Sequence, residues 1–327
     1  MARPSPEPGT HSSARTPRWS TRGIVVLEDE GAFRVQAAER PEQAVHRGRH
    51  RGPQARVRAG GDDARLREVI AVAMFTYDFG YSWPLAWGHV LVGLAGAILA
   101  LAAWRLGWRR WIIVGFGVIS LWGAAGAIAM HYAVQIASPQ RLVTESFLPS
   151  GRGEVLELGA GSGRATIGVL LARPHVRVTA LDAYRGYFGI DDNTPDRLMR
   201  NARAAGVDGR VHVQVADMRA LPFDAERFDA AFSVAAIDHL PWDGIAESLR
   251  ETARVLRPGG QLLIVSLDSD AWVRVAMPWS IHGHGFWGST QSRRRWRQLL
   301  ETAGFIVSEE GTGPATLYVL ATKAEPD

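Results

Sequence analysis

The chain has 327 residues, enough for two domains, and its formal net charge of +4 gives no support to nucleic acid as a partner. It contains no cysteine, which excludes disulfides, thiolate metal sites and any cysteine nucleophile. Lys323 is the only lysine, and this arginine bias with abundant Ala and Gly points to a GC-rich bacterial coding sequence.

Residues 1–73 differ from the rest. Residues 1–20 are rich in Pro, Ser and Arg, residues 45–60 are basic and glycine-punctuated, and only short apolar pieces such as 24–27 intervene. Such a segment buries too little apolar surface to offset its ordering entropy and is expected to be mostly disordered. It lacks the single apolar core of a secretory signal peptide. Met74 offers an alternative start, with the upstream residues then an over-extended reading frame.

Residues 84–104 and 111–130 carry no formal charge. Each is close to the ~20 residues that a helix needs to cross roughly 30 Å of hydrocarbon. Trp83, Trp87, Trp104, Trp108 and Trp111 cluster near the ends, where amphipathic rings prefer the headgroup region. Gly93 with Ala97, and Gly115 with Ser120 nearby, would allow close helix contact. Region 84–133 is therefore expected to be a two-helix transmembrane hairpin in a lipid bilayer, not a buried soluble one.

From residue 140 to 327 strands and helices alternate, the pattern of an α/β domain with a mostly parallel sheet covered on both faces. Strands are expected at 155–158, 176–181, 211–215, 228–234 and 261–266, and helices at 164–171, 195–205 and 245–255. Thr194 before Pro195 is a helix-start signal. Pro258, Gly259 and Gly260 form a turn feeding the fifth strand. A helix at 298–303, closed by Gly304, and strands at 305–308 and 315–321 complete the domain.

The first strand runs into Glu157-Leu158-Gly159-Ala160-Gly161-Ser162-Gly163-Arg164. Its glycines permit a sharp turn and close ligand approach. The dinucleotide pattern needs glycine where Arg164 stands, and no Gly-Lys-Ser/Thr follows for a triphosphate loop. Asp182, ending the second strand in Leu181-Asp182-Ala183-Tyr184, can accept both hydroxyl protons of a ribose. Asp217 beside Met218 ends the third strand and suits an adenine, whose amino group donates while its face packs.

ELGAGSG, LDAY, ADMRALPF, FDAAFSVAAIDHL and VLRPGG follow in an order that resembles the class I S-adenosylmethionine-dependent methyltransferases, in the branch acting on small molecules and quinones. The resemblance spans about residues 148–323 and implies a Rossmann-like seven-stranded sheet with a reversed final hairpin. It also implies S-adenosylmethionine as cofactor. Glu157, Gly159, Ala160, Gly161 and Gly163 would surround its methionine moiety, Asp182 and Ala183 the ribose, Asp217 and Met218 the adenine, with Ser233 and Val234 lining the floor.

Two departures from the family pattern stand out. The link from Asp182 to the next helix is long and is either an ordinary loop or part of a lid with Tyr184, Tyr187 and Phe188. The fourth strand ends in Asp238-His239, where relatives often pair histidines. His239 is the first candidate for a base and Asp238 the second. His282 and His284 have no matching third ligand, so no metal is expected, and their loop reads as part of an acceptor pocket. Arg293, Arg294, Arg295 and Arg297 around Trp296 form either a solvated helix face or a contact for anionic headgroups. Asn-Pro-Pro-Tyr, a mark of base methylation, is absent.

The expectation is a membrane-anchored methyltransferase for a small-molecule or membrane-resident acceptor; the alternative is a cofactor-binding but inactive scaffold or signalling module. Arg105, Arg109 and Arg110 favour a cytoplasmic hairpin loop, whereas cofactor supply favours a cytoplasmic catalytic domain. The latter is preferred.

Overall fold

The computed structural model describes residues 24–29, 32–37, 76–186, 189–267, 290–313 and 316–325. The chain divides into two compact units, Met1–Arg58 and Ala59–Asp327. In the first, β1 (Ile24–Asp29) and β2 (Ala32–Ala37) pair antiparallel, so the apolar piece at 24–27 lies in a strand. The other residues of region 1–73 lie outside those described.

The second unit opens with α1 (Trp83–Arg105) and α2 (Arg110–Ile128), which continues through a π turn at Ala129–Ala133. Pro84 stands in the first turn of α1, where its missing N–H has no helical acceptor to lose. Both helices are long and apolar enough to cross a membrane. They meet through glycines: a Cβ on Gly123 would lie 2.5 Å from Gly93 Cα, and one on Gly96 would lie 2.7 Å from Ser120 N. Gly93 and Ser120 thus serve as expected. Ala97, which is exposed, and Gly115, which faces open space, do not, and Gly123 and Gly126 occupy the seam instead. The outward faces are apolar, with Ile98 66% and Leu121 73% exposed.

The strands are β3 (Arg152–Leu158), β4 (His175–Asp182), β5 (Val211–Val215), β6 (Phe228–Val234), β7 (Leu256–Leu267), β8 (Phe305–Gly313) and β9 (Thr316–Lys323). They form one seven-stranded sheet in the order β5-β4-β3-β6-β7-β9-β8, parallel except where β9 runs antiparallel to both neighbours. This is the expected α/β architecture with its reversed final hairpin. The helices are α3 (Arg164–Ala172), α4 (Pro195–Ala204), α5 (Trp242–Val255) and α6 (Thr290–Thr302). Side chains alternate along each strand, so Val155 joins the α3–α4 face with Ile167 and Leu198, while Leu156 and Leu158 join the α5–α6 face with Leu249 and Trp296.

Several boundaries move for identifiable reasons. Pro258–Gly260 is absorbed into β7: Leu256 pairs with Phe228, pairing resumes at Gln261 with Ala230, and Gly259 turns the intervening bulge at φ +71°. The last helix starts well before residue 298, because Trp296 is buried on the core and carries the preceding turns with it. Thr194 caps α4 as expected, its hydroxyl accepting the Arg197 N–H at 3.4 Å.

Both feet of the α1–α2 pair are fastened to the sheet domain. Before α1, Tyr81 bridges Ile190, Ser82 N–H donates to the Gly189 carbonyl (2.8 Å), and Arg197 pairs with Asp78 (2.7 Å). Asn201 donates to the carbonyls of both Asp78 (2.8 Å) and Ser162 (3.0 Å). After α2, Arg164 donates to the carbonyls of Val134 (2.6 Å), Gln135 (3.2 Å) and Ser138 (2.8 Å) and to Gln140 Oε1 (2.6 Å). Gly168 lets this strap pass, since any Cβ there would collide with the Gln140 carbonyl. Arg164→Ala should therefore loosen the strap by roughly 2–4 kcal/mol, the scale of several lost charge-assisted bonds. Hydrogen exchange should accelerate at residues 134–140 and stay unchanged in β3–β6; unchanged exchange across the strap would refute this.

Candidate functional site

In an open parallel sheet, ligands settle at the carboxyl edge where strand order reverses, here around the ends of β3, β4 and β6. The chain leaves β3 through Gly159 (φ +80°), Gly161 (φ +52°) and Gly163 (φ +87°), conformations that L side chains seldom adopt. Gly159 has no room for a Cβ against Ala236, and a Cβ on Gly163 would lie 2.9 Å from Leu198. Gly159 and Ala160 N–H groups both donate to the Leu181 carbonyl at 2.8 and 3.0 Å.

Asp182, half-buried at the end of β4, fastens the turn. Gly161 N–H donates to its Oδ2 (2.8 Å) and Tyr184 N–H to its Oδ1 (2.6 Å). Each oxygen keeps a lone pair for a further donor. Ala183 follows on the same edge, and Tyr184 has a positive φ of 49°. Its hydroxyl is buried with no partner among the described residues, and so is Asn193 Oδ1. Burial first, then the neighbouring carboxyl groups of Asp182 and Glu157, raise the Tyr184 phenol above its ordinary range. Buried polar atoms left unpaired in this way mark where a polar ligand would complete the site. Tyr187 and Phe188 lie outside the described residues.

Glu157 is 1% exposed and accepts the Thr166 hydroxyl through Oε2. Burial pushes its carboxyl up to about 8, Thr166 opposes the shift, and the charge of Asp182 adds to it. Asp217 behaves oppositely. Arg219 grips it through Nε to Oδ1 (3.0 Å) and Nη2 to Oδ2 (2.7 Å), which holds the carboxyl below its ordinary value. Met218 is half-buried behind it, packed on the core.

On β6 the two expected floor residues separate. Ser233 is fully buried, its hydroxyl donating to the Leu158 carbonyl (2.9 Å) and accepting the Ile237 N–H (3.2 Å), so it supports the floor from beneath. Val234 reaches the edge and lines a small apolar pocket with Val143 and Val265. Asp238 and His239 stand in a short 3-10 turn, Ile237–His239, beyond β6. Asp238 is buried; Oδ2 accepts the Ser266 hydroxyl, and Oδ1 has no partner among the described residues. His239 is half-buried. Sequence reasoning missed Thr166, Asn193, Arg219 and Ser266. The signal for Arg219 was its spacing of two from Asp217; the others are joined only by the fold.

The remaining candidates lie elsewhere. Arg295 stacks on Trp242 (4.4 Å) and Arg297 pairs with Glu310, so these two are engaged on the α6 surface. His282 and His284 lie outside the described residues, among which no group of three or more potential metal ligands occurs.

Residues 155–260 match the family described as Methyltransferase domain. The malonyl-[acyl-carrier protein] O-methyltransferase of Methylococcus capsulatus is 31% identical over 205 residues, covering 60% of this chain and 66% of that protein. The 27-O-demethylrifamycin SV methyltransferase of Amycolatopsis mediterranei is 33% identical over 120 residues, covering 36% and 40%. The chain thus spans less than two thirds of the length of these relatives. A SAM-dependent methyltransferase structure from Methanosarcina mazei aligns at 18% identity over 54% of this chain and 94% of that one, with a TM-score of 0.42.

The Glu157 carboxyl gives a pH signature. Unfolded, it ionises near its ordinary 4.5; folded, it holds its proton to about 8. Between those values the native state binds the extra proton, so stability falls as pH rises, by up to about 1.4 kcal/mol per unit. Glu157→Gln should flatten this slope in denaturation midpoints taken from pH 5 to pH 8. Equal slopes in both proteins would show that the carboxyl is not held neutral.

Proposed function

Since the chain belongs to the class I S-adenosylmethionine-dependent methyltransferases, we propose that it transfers a methyl group to a small-molecule or lipid-like acceptor while anchored in a bilayer by α1 and α2. The observation that carries this reading is the glycine turn held by Asp182, together with the buried Tyr184 hydroxyl and Asn193 oxygen that have no partner among the described residues. Bound there, S-adenosylmethionine supplies an activated methyl on a sulfonium, so the hard chemistry is the cofactor's.

The chain's own residues bind and orient. Asp182 uses its free lone pairs for the ribose hydroxyls, with Ala183 beside it. Glu157, Gly159, Ala160, Gly161 and Gly163 shape the seat of the methionine moiety, where the neutral Glu157 carboxyl can still hydrogen-bond. Asp217 and Met218 take the adenine, Arg219 keeping the Asp217 carboxylate ionised and fixed. Val234 forms the floor above Ser233. His239 is the base where an acceptor must lose a proton, and Asp238, fixed by Ser266, positions the turn that carries it.

The rifamycin relative is named for a small-molecule acceptor, which supports that class here, while the malonyl relative is named for an acyl group on a carrier protein. Anchoring is supported by two apolar helices whose outward faces are exposed. We place the catalytic domain on the cytoplasmic side. In sequence Arg65 and Arg67 precede α1 and Arg141 and Arg152 follow α2, and they offset Arg105, Arg109 and Arg110 in the loop.

Two measurements test the proposal. Calorimetry on the full chain in nanodiscs should show S-adenosylmethionine binding that Asp182→Ala weakens by about tenfold to a hundredfold, as expected for lost charged hydrogen bonds. No binding by the wild type would overturn the enzymatic reading. With membranes and methyl-labelled cofactor, label should partition into the lipid or small-molecule fraction; label confined to protein would refute the acceptor class. His239→Ala should leave cofactor affinity intact and lower turnover by about a hundredfold. Unchanged turnover removes it from the mechanism.

A further inference from the structure

The strap that follows α2 borders a second concavity, a cleft of about 340 Å³. Tyr132, Gln135, Gln140, Arg141, Arg164 and Thr316 supply its polar lining, and among the described residues no Asp or Glu lines it. Both arginines lack a neutralising partner among the described residues. Arg141 is exposed and pairs with no carboxylate, while Arg164 donates only to neutral carbonyl and amide oxygens. The cleft therefore holds two uncompensated positive charges with hydrogen-bond donors around them, a setting for an anion.

Its position says which anion. Tyr132 closes the second apolar span, Arg110–Tyr132, and is 61% exposed; its neighbour in sequence, His131, packs on Trp87 (4.9 Å), so this end of α2 lies level with the exposed Trp83 and Trp87 at the start of α1. The aromatic group at the other end, Trp104, Trp108 and Trp111, is separated from Trp83 by the length of α1, roughly 30 Å at 1.5 Å per residue. The two belts match the two faces of a hydrocarbon core. The mouth of the cleft at Tyr132 thus opens at headgroup level.

We propose that this cleft is a binding site for the headgroup of an anionic phospholipid, with Arg141 as the accessible cation and Gln135 and Gln140 as donors. The site rests on the reading that α1 and α2 lie in a bilayer. It is separate from the α6 arginines, of which Arg295 and Arg297 are engaged with Trp242 and Glu310. Its neighbour across Arg164 is the glycine turn, so a headgroup seated here would bear on the same arginine that fixes the strap to α3.

The test uses the full chain in phosphatidylcholine nanodiscs with and without phosphatidylglycerol, with inorganic phosphate added to the lipid-neutral discs as a separate arm. Phosphatidylglycerol should slow hydrogen exchange over residues 132–143, and native mass spectrometry should find it retained on the protein. Arg141→Ala, a change at an exposed side chain, should lower the apparent lipid affinity by about fivefold. Arg250→Ala, exposed on α5, should leave it unchanged. Protection by inorganic phosphate alone, or an equal response in both variants, would overturn the headgroup site. Recovery of the chain in the soluble fraction would overturn the anchoring and this site with it. Insertion without any phosphatidylglycerol preference would overturn the site alone.

Discussion

Gly161 can hold its left-handed turn because the carboxylate of Asp182 sits one strand away and accepts its N–H at 2.8 Å. That contact depends on the parallel register of β3 and β4, in which Leu158 stands opposite Leu181 and the Leu181 carbonyl receives the Gly159 and Ala160 N–H groups. A slip of one residue would send Asp182 to the other face of the sheet and leave the turn unsupported. The register is in turn fixed by burial, because Val155 must meet one core and Leu156 the other. The site is thus specified by the packing of the sheet, and the loop only expresses it.

The same turn is bracketed by the feet of the apolar hairpin. Asn201 joins Asp78, ahead of α1, to the Ser162 carbonyl inside the turn, and Arg164, the first residue of α3, holds the strap that follows α2. These are hydrogen bonds to backbone carbonyls, which have no freedom to follow a moving partner. The hairpin is consequently joined directly to the sheet domain, unlike a tether on a flexible linker. Confinement at a bilayer would then impose a fixed orientation on the carboxyl edge of the sheet as well as a location.

Much of this was legible because the signals were local or periodic. The sheet strands could be placed from short apolar runs, and Thr194-Pro195 marked a helix start that the structure keeps. The acids at the strand ends were legible because a parallel sheet always delivers the ends of its strands to one edge. What escaped were contacts that join distant segments. Nothing in the sequence near Glu157 announces that Thr166 will donate to it, or that Ser266 will meet Asp238. The glycine seam was half legible: composition revealed that small residues abound in both spans, but Gly115 or Gly123 is a question of helix rotation, which two featureless apolar helices do not encode. Arg164 was read for what it excluded, a dinucleotide turn, and its actual work of holding the strap required the fold.

The acids around the edge differ in how their charge is handled, and the difference bears on the proposed reaction. Glu157 is kept neutral by burial, and Asp217 is paired with Arg219. Asp182 and Asp238 meet only neutral donors among the described residues: backbone N–H groups for one, a hydroxyl for the other. At the edge between β4 and β6 two carboxyl groups thus stand with no side-chain cation paired to them among the described residues. On the proposed reading a cationic sulfonium would bind here and a neutral thioether would leave, so an ionised acid at this edge would favour the loaded cofactor over the spent one. Strong pairing to a single carboxylate would hold that charge in the ground state and oppose its loss during transfer. An arrangement in which neither acid is fixed against a cation would avoid that penalty.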